Sequence, residues 1–187
     1  MDLVYLAGPP GAGKTTVLAH LTTHLNRHTV ERPRPAHTIY YDSPAASIVA
    51  VELGTRRLKF SGTDALPMNI QPYAVEWITR TPYPLVLGEG QRLANMGFLG
   101  AAADAGYNVT LAVLQADEDT LTGRRKARGS NQNSTWLKAA HTRVRNLTEA
   151  ARNHGGITLV LVPADDDTET VASRLQTAIP ALEKLRP

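Results

Sequence analysis

The stretch Leu3-Val4-Tyr5-Leu6-Ala7-Gly8-Pro9-Pro10-Gly11-Ala12-Gly13-Lys14-Thr15-Thr16-Val17-Leu18-Ala19 passes from an apolar run, through a glycine-rich loop, into a helical pattern. From Gly8 to Thr15 the spacing is GxxxxGK[ST], in the strand-loop-helix setting in which that spacing binds phosphate. A chance match in a chain of this length has odds of roughly one in a hundred. The glycines let backbone N–H groups turn inward around α- and β-phosphates, and the helix start adds its positive end. Gly8, Pro10, Gly11, Ala12, Gly13, Lys14, Thr15 and Thr16 are therefore the expected nucleotide contacts. Lys14 is expected to reach the β- and γ-phosphates, and the Thr15 hydroxyl to hold Mg²⁺ in a mostly water and phosphate oxygen shell. The bland alternative is a glycine-rich turn that binds nothing.

Outward from this loop, short apolar runs recur at 3–7, 38–41, 85–87, 109–114 and 157–162, separated by helix-like stretches. Without strict alternation, such runs belong to a parallel sheet covered on both faces. Helices are expected over 13–27, 71–80, 91–105, 118–128, 134–153 and 168–184. Residues 43–70 show no clear period and read as an irregular insertion above the sheet. At 187 residues the chain suits one domain, spanning 1–187. With no cysteine, disulfides, thiolate nucleophiles and cysteine metal sites are excluded. No apolar run approaches membrane-span length, so a soluble, cytoplasmic protein without a membrane partner is expected.

Charge is unevenly spread. Residues 121–152 hold eight Lys/Arg and one acid, a balance of +7, while the rest of the chain carries −4. Such a basic segment fits a polyanion, either nucleotide phosphates or a nucleic-acid backbone; the alternative is a solvated helix face.

The phosphate loop and strand pattern resemble the P-loop kinases, in particular their nucleotide-kinase-like branch. The resemblance implies an α/β three-layer sandwich with a five-stranded parallel sheet ordered 2-3-1-4-5, an Arg-rich lid over 117–135, an acceptor-binding insertion over 43–80, and phosphoryl transfer from ATP. Glu89, in Pro84-Leu85-Val86-Leu87-Gly88-Glu89-Gly90-Gln91-Arg92, then looks like the acid that holds Mg²⁺ or positions the attacking hydroxyl, because ligands gather at strand C-termini. Gly88 and Gly90 are expected to admit substrate closely, and Arg92 to bind an acceptor phosphate or base. A loop acid and a surface arginine are the alternatives. Arg124 and Arg128, one helical turn apart, suit phosphate oxygens and the charge of a transferring phosphoryl group. By resemblance, Arg124 also stacks on adenine against the loop at Pro163-Ala164-Asp165.

Two carboxylates compete as general base. Asp64, in Ser61-Gly62-Thr63-Asp64, suits a loop presenting an acid to an acceptor hydroxyl, unless Thr63 or Asp64 merely caps a turn. Asp42, after the second strand, is the other. Lys138, His141, Arg145 and Arg152 form a basic strip beside Trp136, which is expected as core filler first and as a base-stacking residue second.

The segments Phe60 to Met68, Glu89 to Leu93 and Gly129 to Trp136 also resemble phage-encoded P-loop kinases that phosphorylate hydroxymethyluracil within DNA. That resemblance implies an acceptor base that leaves the stack, DNA held along a basic strip at 124–152, and a host-cytoplasmic location. A free nucleoside or nucleoside monophosphate kinase is the enzymatic alternative. A P-loop ATPase switch or nucleic-acid-binding module without kinase activity is the alternative from another class.

Overall fold

The computed structural model describes residues 1–43, 47–55, 61–130 and 132–186. Phe60 and Asn131, both within segments that carry the DNA-kinase resemblance, lie outside the described residues. The strands are β1 (Asp2–Ala7), β2 (Asn26–Val30), β3 (His37–Tyr41), β4 (Ile48–Leu53), β5 (Leu85–Glu89), β6 (Asn108–Gln115) and β7 (Ile157–Pro163). The α-helices are α1 (Lys14–Leu21), α2 (Gln71–Arg80), α3 (Met96–Asp104), α4 (Glu118–Ala127), α5 (Ser134–Arg152) and α6 (Thr168–Ala178), with short 3-10 helices at Gly62–Ala65 and Pro180–Leu185.

Among the described residues the strands form one sheet in the order β2-β3-β4-β5-β1-β6-β7, seven strands where five were expected. Its five parallel members are β4-β5-β1-β6-β7, while β2 and β3 run antiparallel at one edge. The run at 38–41, expected as a parallel strand, is the antiparallel β3. The neighbour of β5 is instead β4, from the segment expected to be irregular. β4 reads Ile48-Val49-Ala50-Val51-Glu52-Leu53, a nearly continuous apolar run of the kind buried on both faces, but breakers beside it blur the signal. β2 carries the polar sequence Asn26-Arg27-His28-Thr29-Val30 and is almost wholly exposed, as an edge strand can be. The helix expected over 13–27 accordingly stops at Leu21.

Alternating side chains send each parallel strand into two cores. Leu3 and Tyr5 of β1 join Val86, Phe98 and Leu99 beneath α2, α3 and α5. Val4 and Leu6 join Leu18, Leu87, Leu121 and Leu175 beneath α1, α4 and α6. The result is three layers, helices over both faces of the sheet. Tyr5 meets Phe98 edge-on at 6.4 Å, and burying an aromatic ring of this size contributes about 1.5–3 kcal/mol.

Helix ends are set locally. Asn95, Asp117, Asn133 and Asp167 each accept the N–H three residues ahead as N-caps of α3, α4, α5 and α6. α1 instead begins at Gly13 in the left-handed region, with no side-chain cap, leaving its first N–H groups directed into the loop before it.

Candidate functional site

The carboxyl ends of β1, β5 and β6 lie side by side, and the loop 8–13 turns over them into α1. Lys14 Nζ donates to Gly8 O at 2.9 Å and Pro9 O at 3.1 Å. An ammonium has three hydrogens, so this posture pins the side chain to its own loop while one donor remains. Burial lowers the Lys14 pKa, the Glu89 and Asp64 carboxylates raise it, and the Arg128 charge lowers it further.

β5 delivers Glu89 to the same point. Thr15 Oγ1 donates to Glu89 Oε1 at 3.0 Å, joining the phosphate loop to the acid across two adjacent strands. Burial pushes the Glu89 carboxyl up to about 7, against the pull of Lys14 and the Thr15 hydrogen bond; the nearby Glu52 and Asp64 charges add to the rise. A hydroxyl and a carboxylate 3.0 Å apart at the rim of a cleft are the oxygen donors that Mg²⁺ takes from a protein when phosphates and waters complete its shell.

The segment 61–66 closes over Glu89 from β4's side. Thr63 Oγ1 donates to Glu89 O at 2.8 Å, and the buried Tyr5 hydroxyl meets Thr63 Oγ1 at 2.9 Å and Gly90 O at 3.1 Å. Asp64 Oδ1 accepts from Gln91 N at 2.8 Å and Arg92 N at 3.2 Å, and Arg92 Nη2 donates back to Asp64 O at 3.3 Å. Asp64 thus caps the turn after β5 and lines the cleft as well. A Cβ at Gly88 would lie 2.5 Å from the Tyr5 ring, and one at Gly90 would lie 2.8 Å from Thr63 Oγ1. These glycines, expected to admit substrate, instead admit the protein's own Tyr5 and the 61–66 segment.

Around these groups runs a cleft of about 580 Å³, lined by Lys14, Thr15, Asp64, Glu89, Arg92 and Arg128 together with Met68, Trp136 and Arg143. Trp136, expected as core filler, is 37% exposed and faces this cleft from the first turn of α5. Arg143, two turns further on, donates to Gln91 Oε1 at 2.9 Å. The strip His141, Arg145 and Arg152 borders a separate groove beside Gln115 and Pro9, and Lys138 is exposed without lining either. α5 therefore turns two different basic faces outward.

A second cavity of about 420 Å³ lies behind the loop, between Thr16, Val17 and the 164–168 segment. Arg128 borders both cavities, where the loop separates them. Arg124 belongs to the second alone, its guanidinium donating to the carbonyls of Ala164 at 2.7 Å, Asp165 at 3.3 Å and Asp166 at 2.8 Å. Committed to that loop, it holds the wall of the rear cavity and does not face the groups around Glu89.

Asp42 is not brought to the site. β3 runs against β4, so its carboxyl end, with Asp42 exposed just beyond, lies at the opposite end of the strands from Glu89. Its backbone carbonyl accepts from Asn26 Nδ2 at 3.0 Å.

Arg125 was not singled out by its sequence setting, yet it is 9% exposed and donates to Pro10 O at 3.1 Å, to Glu118 Oε1 and to Thr122 Oγ1. It ties α4 to the phosphate loop. The available signal was its place one turn after the buried Leu121, on the apolar side of α4. A Cβ at Gly11 would lie 2.7 Å from Leu121 O, so this glycine is needed for the same close approach.

The fold and this loop define a P-loop phosphate-binding α/β protein. The chain matches the family described as P-loop Nucleotide Kinase3 over residues 1–177, and it belongs to that family. No curated protein matches it. Among solved structures it is similar to a deoxyadenosine kinase from M. mycoides with bound dATP, with a TM-score of 0.54 and 12% identity over 96% of this chain and 100% of that one. It is also similar to an unliganded sugar kinase from Janibacter sp. HTCC2649, with a TM-score of 0.53 and 11% identity over 100% and 99% of the two chains. At these identities the likeness is one of fold.

Proposed function

We propose that this chain is an Mg²⁺-dependent kinase that transfers the γ-phosphate of ATP to a hydroxyl of a nucleotide-like acceptor, favouring the hydroxymethyl group of a hydroxymethylpyrimidine base, hydroxymethyluracil, within DNA. The observation that carries the kinase reading is the Thr15–Glu89 contact, which joins the phosphate loop and a buried acid in one cleft with Asp64 on its wall. Backbone N–H groups of 11–13 hold the α- and β-phosphates, Lys14 binds the β- and γ-phosphates, and the rear cavity beside Arg124 takes the adenine. Thr15 and Glu89 hold Mg²⁺, which when bound offsets charge on the phosphate oxygens. Asp64 accepts the acceptor's proton as the hydroxyl oxygen bonds to the γ-phosphorus and the β,γ-bridging oxygen leaves with ADP. Arg128, bordering both cavities, neutralises charge on the moving phosphoryl group, and Arg92 orients the acceptor.

The DNA-base reading is supported by the cleft's mouth. Met68 is 86% exposed and Trp136 37% exposed, among the guanidinium groups of Arg92, Arg128 and Arg143. An extruded base is held by stacking against apolar and aromatic groups, while cations take its flanking phosphates. The test is transfer of labelled γ-phosphate to a panel of free nucleosides, nucleotides, plain DNA and hydroxymethylated DNA. Label on hydroxymethylated DNA alone is expected. Efficient labelling of a free nucleoside or nucleotide would replace the DNA acceptor with a small one, and hydrolysis indifferent to every acceptor would overturn the kinase reading.

A further inference from the structure

The β2–β3 hairpin ends in the tip Glu31-Arg32-Pro33-Arg34-Pro35-Ala36. Strand direction determines where this tip lies. His37 pairs with Leu53, and Gly54 N donates to Ala36 O at 2.8 Å, so the tip adjoins the carboxyl end of β4. β4 is parallel to β5, whose carboxyl end is Glu89. The tip therefore sits at the same end of the strands as the phosphate loop, the end opposite Asp42.

Arg32 and Arg34 are exposed and border a recess of about 200 Å³ with Thr55, Leu66 and Pro67. The next residue, Met68, lines the main cleft, so the 61–68 segment has the two arginines on one side and the reacting groups on the other. The Arg34 guanidinium lies over the exposed Tyr73 ring, 5.5 Å from its centroid, which orients it without neutralising it. Among the described residues neither arginine forms an ion pair, and Glu31 beside them forms none with either. Arg128 and Arg143 supply positive charge within the cleft itself.

We infer that the hairpin tip is a second contact for the acceptor strand: Arg32 and Arg34 hold its phosphodiester backbone at a distance from the base being modified. This rests on the reading that the acceptor lies within DNA. β3 stands three strand spacings from β1, about 14 Å at ~4.8 Å each. At about 3.4 Å per nucleotide along one strand of a duplex, that distance reaches a phosphate about four positions from the acceptor. A free nucleotide in the cleft does not span it. The tip thus separates polymer from monomer while standing apart from the reacting atoms.

The experiment compares the wild type with an Arg32→Ala/Arg34→Ala double variant, using a 20-base-pair duplex and a trinucleotide that each carry one central hydroxymethyluracil. For the duplex, the variant's salt slope of log affinity is expected to fall by about 1.8, at about 0.9 per lost phosphate contact, with KM raised about tenfold. KM for the trinucleotide and for ATP stays at the wild-type value, which also reports an intact fold. An Arg32→Lys/Arg34→Lys variant keeps most of the slope. A steep wild-type slope that the double variant leaves unchanged, or an equal loss on the trinucleotide, overturns the hairpin contact alone. A flat wild-type slope overturns the DNA reading and the hairpin contact together.

Discussion

Glu89 combines burial with a polar task, and its titration exposes the conflict. Its pKa of about 7 in the folded chain lies above the ordinary 4.5, so folding binds a proton between those values. The stabilisation from the protonated form is present below about pH 4.5 and is lost as pH rises through about 7. A shift of this size corresponds to about 3 kcal/mol. Glu89→Gln should therefore be more stable than wild type at pH 8, with the difference vanishing toward pH 4.5; denaturant titrations of the metal-free protein at both pH values check this. The same change should cut kcat by on the order of 10²-fold, because an amide is a poor stand-in for a carboxylate at a metal. Asp64 has two tasks that one substitution separates. Asp64→Asn keeps an oxygen to accept from Gln91 N and Arg92 N, so the turn should survive, while a lost general base lowers kcat by about 10²- to 10⁴-fold. Turnover at saturating ATP beside a thermal melt distinguishes the two: an unchanged kcat assigns Asp64 to capping alone.

At the scale of elements, α4 and the phosphate loop behave as one unit through Arg125. Its planar fork reaches Pro10 O and the α4 groups Glu118 and Thr122 together, which neither a lysine nor an apolar residue reproduces. Glu118 is largely solvent-exposed, so the ion pair itself adds little, and the hydrogen bond to the loop carries the effect. Arg125→Met should cost about 1–2 kcal/mol in denaturant unfolding and raise KM for ATP by on the order of tenfold, with a smaller change in kcat. The pattern of KM against kcat identifies a residue that positions the loop without touching the reacting atoms.

Across the whole molecule, the rear cavity proposed for the nucleotide lies between α1, α4 and the 164–168 segment, which belong to one of the two cores. Binding there should stabilise the fold as a unit. Mg²⁺-ATP at about 100 times its Kd should add about 2.7 kcal/mol, or a rise in Tm of about 5–10 °C for a chain of this size. Lys14→Ala should lose most of that rise while its ligand-free Tm changes far less, because both hydrogen bonds of the ammonium go to its own loop. Scanning fluorimetry with and without nucleotide gives both values. A full ligand-induced shift in Lys14→Ala would remove Lys14 from the phosphate contacts.

The residues that the sequence alone determined are those whose signal is local. The phosphate loop is a contiguous spacing, and β5, β6 and β7 are continuous apolar runs. That Glu89 lines the cleft was legible because it ends an apolar strand, and that Asp64 does because hydroxyls and glycine surround it. What only the tertiary structure decided depends on strand direction and on contacts between distant segments. Asp42 and Asp64 look alike in sequence, yet the antiparallel turn into β4 sends one to the far end of the strands while the other meets the turn after β5. Arg124 and Arg125 are adjacent, but the 100° step between neighbours on a helix aims one at the carbonyls of 164–166 and the other at Pro10. The same rotation turns Trp136 and Arg143 into the cleft, and Arg145 and Arg152 toward a different groove, so a basic segment that is continuous in sequence becomes two surfaces in space.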